Sequence, residues 1–172
     1  MKHLPNLLSA ARLAMAPWVI VLILRGDSTT VLLWFAIAAV TDALDGFLAR
    51  RMGVESAAGQ ILDPVADKVL LSGVFVALAV VAAIPWWLAW LVLGRDALIL
   101  LFAAGTLLFT KVRRNFPPTI WGKLSTIGQM IFVLAVVMKL AVIVTPLLWL
   151  TAFLTAWSAL DYARRARRPQ EI

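Results

Sequence analysis

The chain has 172 residues, 63% hydrophobic and 15% charged, with a mean hydropathy of +0.94; ordinary soluble domains are about 25% charged. That composition excludes a soluble globular fold and a disordered chain, and the absence of cysteine excludes a disulfide framework, a zinc–thiolate site and an iron–sulfur site. Sixteen Lys and Arg stand against nine Asp and Glu, a net charge of +7, so the information lies in where each charge sits.

A membrane-crossing helix takes about 20 residues. The length therefore allows six or seven spans and no soluble domain of useful size beside them. The opening Leu4-Pro5-Asn6-Leu7-Leu8-Ser9 reads as an interfacial turn entering a helix, with Asn6 as its N-cap. The first apolar run, 13–24, lies between Arg12 and Arg25. An Ala-Met-Ala triplet at 14–16 precedes most of that run instead of following it, so the segment does not read as a signal peptide. A second run, 28–41, continues into the charged stretch 42–51. The longest charge-free segment, 69–94, is interrupted by Ile84-Pro85-Trp86-Trp87, where a proline stop and interfacial tryptophans predict a tight hairpin. Further helices are predicted over 86–110, 121–144 and 146–162. There is no internal repeat and no low-complexity linker. The expectation is an all-α polytopic membrane protein with six transmembrane helices, residues 1–172 forming one domain. Charged residues inside these helices must face protein or a water-filled cavity.

With six spans, Lys2, Arg12, Arg50, Arg51, Lys111, Arg113, Arg114, Lys123, Arg164, Arg165, Arg167 and Arg168 fall on one side, 12 of the 16. Arg25 and Lys139 fall at or near the other side, and Lys68 and Arg95 within helices. The positive-inside rule then puts both termini and the 2–3 and 4–5 loops in the cytoplasm. A short chain with no transit segment suits a bacterial inner membrane.

Four of the nine acids cluster around one loop. Asp42 and Asp45 are three residues apart and share a helix face, and Asp63 and Asp67 are four apart and share a face of the next helix. The short cytoplasmic connection makes those helices antiparallel neighbours, so the two carboxylate faces meet near one interface. Four carboxylates together repel unless protonated or neutralised, and Lys68 and Arg50 are too few to balance them. An all-carboxylate set without His or Cys suits Mg²⁺ or Mn²⁺. Two such ions sharing bridging carboxylates would form a clamp for phosphoryl chemistry. Gly46 and Gly59 would let a diphosphate approach the backbone, and Arg50 offers a forked donor. Taken singly these residues have plainer readings: close helix packing for the glycines, topology for Arg50, a proton relay for one Asp. Together they form a pattern.

That pattern, D-x2-D-G-x2-A-R-x8-G-x3-D-x3-D from Asp42 to Asp67, resembles the signature of the CDP-alcohol phosphatidyltransferase family without departure. Pro5-Asn6-Leu7-Leu8-Ser9 followed by Arg12 is similar to the opening of the family's glycerophospholipid branch. The resemblance implies transfer of a phosphatidyl group from CDP-diacylglycerol to an alcohol, with release of CMP. It implies that Asp42, Asp45 and Asp63 bind metal, that Asp67 binds metal or acts as general base, and that Gly46, Arg50 and Gly59 hold the CDP moiety. It also implies a homodimer. Gly94-Arg95-Asp96, the segment 118–126 and the segment 151–159 look more like the CMP-forming cardiolipin synthases, whose acceptor is phosphatidylglycerol, than like the phosphatidylglycerophosphate synthases, whose acceptor is glycerol 3-phosphate.

Arg95, Lys123 and Arg12 are candidates for the acceptor's phosphate; Arg95 has the alternative of pairing with an acid, and Lys123 that of setting topology. Asp96 is adjacent to Arg95, but neighbouring positions do not face each other on a helix, so these two are not expected to form an ion pair. Trp86, Trp87, Trp90 and Trp121 read as belt or packing residues. The basic tail reads as a lipid-surface anchor and not as a nucleic-acid site. A small proton- or cation-coupled transporter is the competing class. It gives no reason to fix Gly46, Ala49, Arg50 and Gly59 alongside the acids.

Overall fold

The computed structural model describes the backbone of residues 4–37, 59–109 and 119–167, and the side chains of 14–37, 68–101 and 119–164. The described elements are all helices: α1 (Leu4–Leu24), α2 (described over Ser28–Ile37), α3 (Gly59–Val80), α4 (Trp86–Phe109), α5 (Ile120–Val137) and α6 (Ala141–Arg167). Two of them, over Ile120–Val137 and Ala141–Arg164, are long and apolar enough to cross a membrane, while the described apolar parts of α1, α2 and α3 are shorter. The chain divides into two compact units, Met1–Ile84 and Pro85–Ile172.

In the first unit α1 packs against α3. Ala16, Val19, Leu22 and Ile23 form the buried stripe of α1, and Leu70, Leu71, Val74, Phe75 and Leu78 that of α3. Both stripes recur at the three- and four-residue spacing of a helix face. The helices approach closely where Ile20 lies over Gly73: a Cβ at position 73 would stand 2.7 Å from Ile20 Cδ1. In the second unit α6 packs against both α4 and α5. Ile127, Ile131, Trp149 and Phe153 stay exposed on α5 and α6, a surface suited to lipid.

Three helices end in the same way. At the end of α1, Gly26 (φ +74°) donates to the Ile23 carbonyl and Asp27 to that of Leu22. At the end of α3, Ala82 (φ 55°) donates to Ala79 and Ala83 to Leu78. At the end of α5, Lys139 (φ 56°) donates to Val136 and Leu140 to Ala135. Each is a Schellman turn, which satisfies carbonyls the helix leaves without partners. Only the first uses glycine. Ala82 and Lys139 hold a left-handed conformation at about 1–2 kcal/mol each, a cost offset by carbonyls that apolar surroundings would penalise more.

These turns correct the sequence reading in places. Lys139, not Pro146, separates the last two helices: α5 stops at Val137 and α6 starts at Ala141. Pro146 lies inside α6, where it forfeits one backbone bond near a terminus. The same helix runs on to Arg167, past the expected 162. At the N-terminus the helix begins at Leu4, so Asn6 lies within its first turns and is not its N-cap. Pro5 suits that position, where a missing N–H costs nothing. Asp27, not expected as a cap, accepts from the Thr30 amide at 3.1 Å and starts α2. Hydrogen bonding from the Thr30 side chain, and then from its amide, holds the exposed Asp27 carboxyl below its ordinary value of 3.8.

Candidate functional site

The acidic pattern falls partly on described backbone. Gly59 is the first residue of α3, and Asp63 and Asp67 lie on its opening turns. Asp42, Asp45, Gly46 and Arg50 lie outside the described residues. Helical register puts positions 63 and 67 in line with 70, 71, 74 and 78, the stripe on which Leu70, Leu71, Val74 and Leu78 are buried. Positions 63 and 67 are thus in register with the packing stripe of an apolar helix, towards its N-terminus. Carboxylates on such a face carry a high desolvation cost unless a cation neutralises them. Among the described residues no group of three or more metal-ligating side chains gathers. The donor chemistry fits a hard divalent ion: two aspartates one turn apart, in a chain with no cysteine and with histidine only at position 3. Arg12 lies within α1, at the spacing of Ala16, Val19 and Ile23, the buried face of that helix.

The second unit contains a different polar centre. Arg95, in the middle of α4, is buried at 6% exposure. Its Nη1 donates to Asp96, which is also buried. Nε and Nη2 both donate to Ser158 Oγ on α6, at 3.3 and 3.2 Å, and Nη2 also donates to the Gly122 carbonyl on α5 at 3.3 Å. The expectation that Arg95 and Asp96 would not pair is overturned. Their Cβ directions diverge, but the long arginine stem folds back along its own helix far enough to meet the next carboxylate. A desolvated ion pair persists only with further hydrogen bonds to its remaining donors, which α5 and α6 supply. One guanidinium therefore joins all three helices of the unit.

Gly122 makes room for this junction. A Cβ there would stand 3.2 Å from Thr119 Oγ1, 3.3 Å from Tyr162 Oη and 3.4 Å from Arg95 Nη2. Thr119 caps α5 by accepting from the Gly122 amide at 2.9 Å. The Gly122 carbonyl accepts from Arg95 and also from Thr126 Oγ1 at 3.1 Å. Lys123, one residue on, is exposed.

A polar seam continues from this point between α5 and α6. Ser125 and Thr155 hydroxyls lie 3.2 Å apart, Gln129 Nε2 donates to Thr155 at 3.1 Å, and Thr151 donates to the Gly128 carbonyl at 3.3 Å. Ser125, Gln129, Thr151, Thr155 and Ser158 are all fully buried. In lipid, where apolar burial gives helices little reason to associate, such contacts and small-residue packing do the joining. Sequence reading singled out Arg95 but missed these partners. Their signal was present: Thr151, Thr155 and Ser158 recur at four and three residues on one face of an apolar helix, as do Ser125 and Gln129.

Comparison with known proteins adds a second line of information. A family profile described as CDP-alcohol phosphatidyltransferase matches residues 2–157. A "Probable phosphatidylglycerophosphate synthase" of Mycobacterium tuberculosis is 32% identical over 177 residues, covering 96% of this chain and 82% of that protein. "Cardiolipin synthase (CMP-forming)" of Rattus norvegicus is 35% identical over 198 residues, covering 98% of this chain and 63% of that protein. A protein of the same name from Streptomyces coelicolor is 37% identical over 136 residues, covering 74% of this chain and 61% of that protein. The chain thus spans under two thirds of the length of both cardiolipin synthases.

Proposed function

The chain belongs to the CDP-alcohol phosphatidyltransferase family and is an enzyme of it, and on that premise we propose that it moves the phosphatidyl group of CDP-diacylglycerol to phosphatidylglycerol, releasing CMP and forming cardiolipin. The observation that supports the reading is the register of positions 63 and 67 with the packing stripe of α3, with Gly59 opening that helix. Carboxylates in that register need a cation, and a cation there has a diphosphate to bind.

In this reading Asp42, Asp45, Asp63 and Asp67 hold two Mg²⁺ or Mn²⁺ ions, which when bound screen the charge of the diphosphate and of the departing CMP. Gly46 and Gly59 leave space along the backbone for the diphosphate, and Arg50 donates to its oxygens. The acceptor hydroxyl oxygen bonds to the lipid-side phosphorus while the bond from that phosphorus to the CMP oxygen breaks. Asp67 takes the hydroxyl proton as general base. CMP keeps the bridging oxygen, and the phosphatidyl group ends on the acceptor.

We read the chain as one domain of six spans in a bacterial inner membrane, with both termini and the site on the cytoplasmic side, and as a homodimer. The family match across both units supports the single domain. The tight turns after α1, α3 and α5, against a longer connection between α4 and α5, support a site built at one side only. In this topology α1 and α3 run the same way. With Ile20 set against Gly73, Arg12 lies eight positions before the contact, level with position 65 of α3, between Asp63 and Asp67. That supports Arg12 as a partner for a phosphate at this site. Arg95 and Lys123 remain candidates for the acceptor phosphate, although most Arg95 donors already serve α5 and α6.

The second reading of the acceptor is glycerol 3-phosphate, supported by the extent of the match to the mycobacterial protein. CMP release by purified protein with CDP-diacylglycerol and Mg²⁺ separates the two. The proposal expects release with phosphatidylglycerol that EDTA abolishes. Release with glycerol 3-phosphate alone would assign the second acceptor, and release with neither acceptor would remove the reading.

A further inference from the structure

The outer surface of the second unit carries an aromatic row at the end where α5 begins and α6 finishes. Trp121 and Trp157 meet edge to face with ring centres 5.9 Å apart, and Phe153 stacks on Trp157 at 5.9 Å. The guanidinium carbon of Arg164 lies 5.8 Å from the centre of the Trp157 ring. The row is open: Phe153 is 57% exposed and both tryptophans are 38% exposed. Arg164 is exposed as well. The proposed transfer assigns no part to these four.

We propose that Trp121, Phe153, Trp157 and Arg164 form a surface site for an anionic phospholipid, with an acyl chain lying along the three rings and the head-group phosphate held by Arg164. Indole rings at the end of an apolar helix pair sit at the depth where acyl chains meet head groups. A guanidinium over an indole face loses one face to the ring but keeps its in-plane N–H donors, the fork that matches phosphate oxygens. Among the described residues no carboxylate pairs with Arg164, and Asp161, one turn earlier, is half-buried with a partner of its own. Arg165, Arg167 and Arg168 follow directly in the sequence, so the local field favours an anionic head over a zwitterionic one. The same charge argues against a second copy of the chain as the occupant. A two-fold contact centred on this patch would set Arg164 against Arg164.

The test uses the full chain and needs no catalysis. The probe is phosphatidic acid, which carries no alcohol for transfer, offered with an equal amount of phosphatidylcholine in mixed micelles; native mass spectrometry then counts the lipids retained. Wild type is expected to retain phosphatidic acid in preference. Arg164→Gln should lower that retention about fivefold, the effect of one arginine at an anionic surface, without changing retention of phosphatidylcholine. Arg25→Gln, an exposed arginine in the α1–α2 turn, should change neither. Trp157→Leu should lower retention of both lipids, and a thermal melt matching wild type shows that each variant folds. Equal retention of the two lipids by wild type, or unchanged phosphatidic acid on Arg164→Gln, overturns the proposal. So does a loss of dimer in the Arg164→Gln spectra with lipid retention intact, because the patch would then be an interface between copies.

Discussion

In α4, Arg95 is buried with its donors on Asp96, Ser158 and the Gly122 carbonyl. In α3, positions 63 and 67 are aspartates in register with the packing stripe of an apolar helix, with Arg50 and Lys68 nearby in sequence and Arg12 level with them in the proposed topology. The first arrangement is closed: the charge is neutralised within its own unit, and three helices are joined by doing so. The second sets four aspartates in the sequence against Arg12, Arg50 and Lys68, and in the proposed reading it is complete only with a cation from solution. Intramembrane charge is therefore not one kind of signal. A charge whose partners come from the fold reports on structure, and a charge set that cannot be balanced by the fold reports on a ligand.

The largest effect expected from this contrast is on the acidic side. Asp67→Asn should lower CMP release by roughly 10²- to 10⁴-fold, the usual contribution of a general base, while leaving the thermal midpoint near that of wild type. A variant with normal turnover would remove Asp67 from the chemistry.

On the closed side the effect is on stability. Arg95→Met takes the guanidinium away from the buried Asp96 carboxylate, a loss of about 3–5 kcal/mol in an unfolding titration. Arg95→Met combined with Asp96→Leu should recover most of that loss, because the cost lies in a buried carboxylate that has lost its cation. Equal loss in the single and double variants would mean that the junction, not the charge balance, dominates.

Two glycines refine the same point at smaller magnitude. Gly122→Ala pushes a methyl group against Thr119, Tyr162 and Arg95 and should cost about 1–3 kcal/mol. Gly94, one residue before Arg95, has nothing within 4 Å of its would-be Cβ. Gly94→Ala should therefore be neutral or gain up to about 1 kcal/mol in helix propensity. The difference between the two midpoints measures how tightly the junction is packed.

The smallest effect is at the α1–α2 turn. The folded Asp27 carboxyl lies below 3.8, so the stability of its cap is fully present above that pH and is lost as the pH falls through the lower folded value. The difference in thermal midpoint between wild type and Asp27→Ala should thus be constant near neutrality and shrink below pH 3.8.

Much of this was legible in the sequence, and the failures have causes. The helices were readable because apolar runs and prolines punctuate the chain, and the acidic motif because its spacing is rigid. The α5–α6 boundary was misplaced because Pro146 is a loud signal tolerated near a helix start, whereas Lys139 in a left-handed turn is silent in sequence. The Arg95–Asp96 pair was rejected on a rule about Cβ directions that a long side chain evades. The Ser158 and Gly122 contacts join positions 63 and 27 residues away from Arg95 in sequence. No local pattern encodes them, although the small polar face of α6 marked where a partner would be found.

The central claim is that the acids of α3 hold a divalent cation. It is tested most directly by the thermal midpoint of wild type and Asp63→Asn as Mg²⁺ is titrated in the presence of CDP-diacylglycerol, since a ligand that binds only the folded state raises its midpoint. The account predicts a saturable rise in wild type, reversed by EDTA, and a flat response in the variant. An equal rise in both, or none in either, would contradict it.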